Sequence, residues 1–169
     1  HVGAPPDPWA EQGQNWGLPA LNPVKVGDNN FAFYRALIKS NMEDVGGLRI
    51  DHVMAIRRLW WCFEINGQQE GCYVYYPFEY LLAIVTIESH LNECIVIGED
   101  LGVVPQEVKK ALAEKAIFSN SLFYFEKDQY DEFLPADAFD PHCLLMIANH
   151  DVPPFFAWWE GRDINLKVQ

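Results

Sequence analysis

Residues 48–53 read LRIDHV. The run has the apolar frame of a buried strand, yet it carries an arginine, an aspartate and a histidine. Ionised groups are costly to bury unless they are paired or put to use. The position of Asp51 within the chain therefore has to be explained, and the elements around it supply the explanation.

On either side of LRIDHV the pattern alternates between helix and strand. Before it, FAFYRALIKSNM (31–42) places Phe33, Leu37, Ile38 and Met42 near one face of a helix that starts at Asn30 and stops at Gly46-Gly47. After it, FEYLLAIVTIESHL (78–91) sets Phe78, Leu81, Leu82 and Val85 at the i, i+3, i+4, i+7 spacing of a second helix. Pro77 sits where a helix start tolerates proline. ECIVIGEDLG (93–102) has a wholly apolar, β-branched centre that suits a strand covered on both faces. A third helix is predicted from Pro105 through PQEVKKALAEKA. SLFYFE (121–126) and CLLMIANHD (143–151) give two more strands, separated by a polar segment with room for a short helix. The alternation is that of an α/β parallel sheet.

Acids cluster where these strands finish. Asp51 ends the first run, Glu99 and Asp100 follow the second, and Asp151, next to His150, closes the last. Glu126, followed by Lys127 and Asp128, is read as a solvated loop acid, and Asp100 also suits a cap on the next helix. In a (β/α) barrel the carboxyl ends of all strands converge on one face, whereas in an open sheet they meet only at a switch point. Acids on successive strand ends favour the barrel. Paired carboxylates serve two chemistries: glycosyl transfer through a nucleophile and a proton donor, or catalysis by a divalent ion held by Asp, Glu and His. Both stand at this point.

Composition narrows the partners. The 169 residues are 50% hydrophobic and 14% aromatic, enough for a packed core. The net charge of −12, without a block of like charges, repels phosphate backbones and anionic membranes. Cys62, Cys72, Cys94 and Cys143 show neither CxxC nor zinc spacing and suit reduced thiols of a cytoplasmic protein. No signal pattern or membrane-length apolar stretch is seen. The first 30 residues are rich in Pro, Gly and Asn, which predicts a loop. Its two tryptophans, Trp9 and Trp16, favour order against the body and offer platforms for sugar rings.

The strings GAPPDPWAEQGQNWGLP, GGLRIDHVMAIRRLWW, GCYVYYPFEYLLAI, CIVIGEDLGVVPQEV and NHDVPPFFAWWEG, in that order, resemble the amylomaltases. These are 4-α-glucanotransferases related to the α-amylases. The resemblance implies that Asp51 is the nucleophile, Glu99 the general acid/base and Asp151 the transition-state stabiliser. It implies substrate contacts for Arg49, His150, Asp7, Gln14, Trp16 and Asp100, with residues 1–30 as a substrate-binding loop region. Malto-oligosaccharides and α-1,4-glucans are the implied partners, with no cofactor and no metal. Arg49 and Asp51 are two residues apart, so on a strand both point to one side, a cation beside an acid. The final motif departs from the family, reading NHDVPPFF where THDLPT is usual, so Asn149 and Pro154 alter the rim next to Asp151.

Length departs as well. A complete barrel takes about 250 residues. Counted by strands, residues 1–169 resemble one stretch of a TIM-type (β/α)8 barrel, from the loop after the third strand through the seventh. The chain is therefore expected to be part of one catalytic domain, to need the missing remainder of the barrel for closure, and to lack transferase activity alone. Two other readings stay open. One is a metal-dependent barrel hydrolase using Asp51, His52, Glu99, His150 and Asp151, against which His52 and Asp51 should face opposite sides of a strand. The other is a non-catalytic glucan-binding module.

Overall fold

LRIDHV begins as a strand and ends as a turn. In the computed structural model, which describes residues 1–7, 10–102 and 104–162, the chain runs through β1 (Val2–Ala4), β2 (Gln14–Asn15), α1 (Asp28–Met42), β3 (Gly47–Ile50), β4 (Arg58–Ile65), β5 (Gln68–Tyr75), α2 (Phe78–Leu91), β6 (Ile95–Gly98), α3 (Gln106–Glu114), β7 (Ser119–Leu122), β8 (Cys143–Met146) and α4 (Phe155–Trp159). From residue 28 onward the predicted strands and the first three helices occur in the predicted order, with β4, β5 and α4 added to them. Trp9 lies outside the described residues.

The strands that carry the acids are parallel and adjacent. β3 pairs with β6, Ile50 opposite Gly98. β6 meets the residue before β7 through a parallel bridge between Ile97 and Phe118, closed by hydrogen bonds from Phe118 N to Val96 O and from Gly98 N to Phe118 O. β7 then pairs with β8 in parallel. Short 3-10 turns, Phe123–Phe125 and Ala136–Ala138, take the place of a helix between β7 and β8. The fold is thus mixed α/β, with its acid-bearing strands parallel.

Helix packing follows the apolar spacing for α2 and corrects it for α1. Phe78, Leu81, Leu82 and Val85 are all buried. On α1 the buried line is Tyr34, Ile38 and Met42, while Phe33 and Leu37 are exposed. The spacing i, i+4, i+8 selects that line once Tyr34 is counted as apolar. Burial drives the Tyr34 phenol well above its ordinary range. The start of α1 is left-handed at Asn29, Asn30 and Phe31, a conformation asparagine tolerates and phenylalanine does not favour. Phe31 stacks on Tyr80 of α2 at 5.3 Å, which offsets part of that cost.

Two features depart from the sequence reading. Residues 1–30 are not loop throughout, because β1 and β2 join a four-stranded antiparallel sheet in the order β2-β1-β4-β5. β4 and β5 form a hairpin inserted between β3 and α2, turning at Asn66-Gly67, both at positive φ. That pair is the preferred chemistry of a two-residue hairpin turn. All four cysteines are free, Cys62 and Cys94 buried.

Gly98 closes β6 where the turn after β3 comes nearest. A Cβ there would lie 2.9 Å from Val53 Cγ2, and Val53 is 1% exposed with no room to retreat. Gly98→Ala is expected to destabilise the intact protein by about 1–3 kcal/mol through overpacking. Denaturant unfolding measures this, and an unchanged midpoint would contradict so close a fit.

Candidate active site

The backbone brings the first two acids together before any side chain acts. Glu99 N donates to Ile50 O, and Val53 N donates to Glu99 O, both at 2.9 Å. The ends of β3 and β6 are thereby interlocked. His52 sits between these bonds in the left-handed region, φ 45 and ψ 62. A non-glycine residue held there marks a turn fixed by its surroundings.

Glu99 is 8% exposed, and both its oxygens are engaged by main-chain donors. Oε2 accepts the His52 N–H at 2.9 Å and Oε1 accepts the Leu101 N–H at 2.6 Å. Its carboxyl group therefore touches the peptide that joins Asp51 to His52. Each oxygen retains a lone pair for a proton or a ligand hydroxyl.

Asp51 is more open, its side chain 54% exposed. Arg49 Nη1 donates to its Oδ1 at 2.6 Å, the same-side pairing expected from the two-residue spacing. His150 Nε2 lies 3.6 Å from Asp51 Oδ2 and 3.4 Å from Asp151 Oδ1, so one imidazole spans both acids. Asp151 is held by Asn149, whose Nδ2 donates to Oδ2 at 2.7 Å while the Asp151 N–H donates to Asn149 Oδ1. Asn149, one of the two departures from the resembled motif, thus orients the third acid.

The other expected residues divide. Trp16 packs edge-on against the His52 ring at 5.2 Å and donates from Nε1 to Gln14 Oε1 at 3.0 Å, which puts both loop side chains beside the turn carrying Asp51. Asp7 accepts the Ala10 N–H at 2.7 Å and closes a turn within the loop. Asp100 takes a framework position, accepting the Asn120 N–H at 3.1 Å and lying 3.7 Å from Lys109 of α3. It lines a cavity of about 540 Å³ against α3. Among the described residues, no three His, Cys, Asp or Glu side chains group closely enough to hold a metal ion. The set Asp51, His52, Glu99, His150 and Asp151 does not form a ligand cluster in this arrangement.

Asn120 was not legible as a site residue, whereas Asn149 was read as part of the rim beside Asp151. Asn120, 2% exposed, accepts Arg49 Nε–H at 2.7 Å. A polar residue one position before an apolar run was the available signal.

Parallel strands that gather carboxylates at their carboxyl ends define an α/β protein whose candidate site is that rim. A family profile described as 4-alpha-glucanotransferase matches residues 1–168, and the chain belongs to that family. The Haemophilus influenzae 4-alpha-glucanotransferase is 44% identical over 168 residues, covering 99% of this chain and 24% of its own length. The Mycobacterium tuberculosis protein of the same name is 32% identical, covering 98% of this chain and 24% of its own. Amylomaltase from Corynebacterium glutamicum superposes with a TM-score of 0.87 at 32% identity, over 98% of this chain and 24% of that one. Amylomaltase from Streptococcus agalactiae, solved with acarbose, shares the fold at a TM-score of 0.75 and 21% identity, over 94% of this chain and 32% of that one. The chain spans about a quarter of the length of the curated relatives described here.

Burial pushes the His52 imidazole below its ordinary range, against the pull of Glu99 and then Asp51. The unfolded chain therefore binds this proton more readily than the folded one, and stability falls as pH drops below about 6.5. His52→Gln is expected to flatten that acid-side loss. Denaturant midpoints at pH 7.5 and 5.5 measure it, and equal losses in both proteins would refute it.

Proposed function

We propose that residues 1–169 form the central part of the catalytic (β/α)8 barrel of a 4-α-glucanotransferase, from the loop after the third strand through the seventh. The complete enzyme transfers α-1,4-glucan segments between malto-oligosaccharides by a retaining double displacement. The observation that carries this reading is the pairing at one rim: Asp51 held by Arg49, with the Glu99 carboxyl on the adjoining peptide. Membership of the family supports it.

In the first half-reaction an Asp51 oxygen attacks the anomeric carbon of the donor while Glu99 gives its proton to the departing 4-oxygen. The glucosyl unit is then an ester of Asp51, and the released chain carries a free 4-hydroxyl. In the second half, Glu99 takes the proton from an acceptor's 4-hydroxyl, that oxygen attacks the anomeric carbon, and Asp51 leaves as carboxylate. Two inversions give net retention, and neither half needs a cofactor. Asp151, positioned by Asn149 and His150, hydrogen-bonds the sugar hydroxyls as charge develops at the ring. Arg49 and His150 stand next to the reacting sugar, with the guanidinium balancing the charge of Asp51.

Gln14 and Trp16 belong to the substrate loop, and Asp7 closes a turn in the segment that bears them. Transfer exceeds hydrolysis only when an acceptor sugar is held and water is kept out. The indole beside His52 supplies apolar surface for both tasks. Asp100 serves the framework behind the acids rather than the substrate. The protein works in the cytoplasm, without nucleic-acid or membrane partners, and the rest of the barrel closes the sheet edges that these residues leave unpaired.

In the complete enzyme, Asp51→Asn and Glu99→Gln are each expected to lower maltotriose disproportionation by roughly 10²–10⁴-fold or more. A fluorinated glucosyl donor should label Asp51 covalently. Absence of label, with glucan binding retained, would favour a binding module instead. Trp16→Ala is expected to lower the ratio of transfer to hydrolysis, read as oligosaccharide against glucose released. An unchanged ratio would remove the loop from water exclusion.

A further inference from the structure

Arg49 is the cation on which Asp51 depends, and its own support comes from one residue. Its guanidinium makes two hydrogen bonds among the described residues: Nη1 to Asp51 Oδ1 at 2.6 Å and Nε to Asn120 Oδ1 at 2.7 Å. The third nitrogen, Nη2, is buried and has no acceptor there. A planar fork held at Nε can swing only about that contact, so the Asn120 oxygen sets the direction in which Nη1 points.

Asn120 is built to hold that oxygen still. It is 2% exposed, and its Nδ2 donates to Ser121 O at 3.2 Å and Leu144 O at 3.0 Å. Its backbone N–H donates to Asp100 Oδ1 at 3.1 Å. Turning the amide over would set its NH2 against the Arg49 N–H and its oxygen against two carbonyls, so the surroundings admit one orientation. An aspartate at 120 would face the same two carbonyls with oxygen and compete with Asp51 for Arg49. An amide alone meets every demand of the site.

We propose that Asn120 is a positioning residue for the transfer reaction, acting on Asp51 through Arg49 and locking β3, β7 and β8 to one geometry at the nucleophile. The inference rests on Asp51 being the nucleophile, and it assigns a role to a residue that touches no substrate. Among the described residues, Arg49 is the proposed glucan contact bonded to the Asn120 side chain, and it keeps its charge without that bond. Loss of Asn120 therefore lowers the rate of ester formation and leaves substrate affinity nearly unchanged.

The test is a double-mutant cycle in the complete enzyme, with Asn120→Ala, Arg49→Lys and the pair, read as the rate of Asp51 labelling by a fluorinated glucosyl donor and as kcat and KM for maltotriose. Asn120→Ala alone should reduce labelling and kcat by about 10- to 100-fold, the scale of a misplaced reacting group, with KM within about threefold. Added to Arg49→Lys, which has no Nε–H to be held, it should cause little further loss. An equal loss in both backgrounds would overturn the proposal, because a merely structural role acts regardless of Arg49. So would unchanged labelling in Asn120→Ala. If Asn120→Ala does not fold, Asn120→Ser is read in the same cycle. A crystal structure of the complete enzyme with Arg49 Nε bonded elsewhere would overturn it without any variant. No labelling of Asp51 in the unmodified enzyme would instead sink the nucleophile assignment itself.

Discussion

Two backbone hydrogen bonds, Glu99 N to Ile50 O and Val53 N to Glu99 O, tie the end of one parallel strand to the end of the next. Everything at the rim follows from that lock. It forces His52 into a left-handed conformation, turns Asp51 outward and brings the His52 N–H onto the Glu99 carboxylate. The close approach is possible because Gly98 presents no side chain to Val53. A sequence separation of 47 residues between Glu99 and His52 is thus reduced to one hydrogen bond. Parallel pairing in register, rather than any single side chain, sets the distance between the acids.

The site is also arranged around the shortage of positive charge in an acidic chain. Among the described residues, Arg49 is the cation that holds Asp51, and the His150 imidazole stands between Asp51 and Asp151. Asp100 meets Lys109 and a backbone N–H on the far side of the strand. Neutral amides do much of the remaining work. Asn149 fixes Asp151 and Asn120 fixes Arg49, so orientation is imposed by groups that add no charge. A buried amide with all its hydrogen bonds made restricts geometry strongly because its alternatives leave donors and acceptors unpaired.

How far the sequence carried depended on whether a residue's role was periodic, local or relational. Helix α2 was legible to the residue, because an apolar stripe at helical spacing has one burial solution. The face of α1 was read in part: Ile38 and Met42 are buried as expected, but Tyr34 buries its ring while Phe33 and Leu37 remain exposed. The β4–β5 hairpin went unread although Asn66-Gly67 announces such a turn; its strands expose much of their surface and lack a clean apolar alternation. β1 and β2 are too short to show any period. The acids at strand ends were visible as a pattern. Asn120 was not, for its meaning lies in partners 71 and 24 residues away that only the fold assembles.

The division of Asp51 between two neighbours bears on the barriers of both halves of the proposed cycle. Arg49 grips one oxygen at 2.6 Å, while the other lies 3.6 Å from His150 Nε2. In the proposed reaction the free oxygen becomes the ester oxygen, and the gripped one becomes the ester carbonyl without letting go of the guanidinium. The carboxylate is then as ready to depart as it was to arrive. In that reading the guanidinium lowers the barriers to ester formation and ester breakdown alike, whereas the balance of the exchange is set by the bond broken and the bond made being of the same kind, which no active site alters.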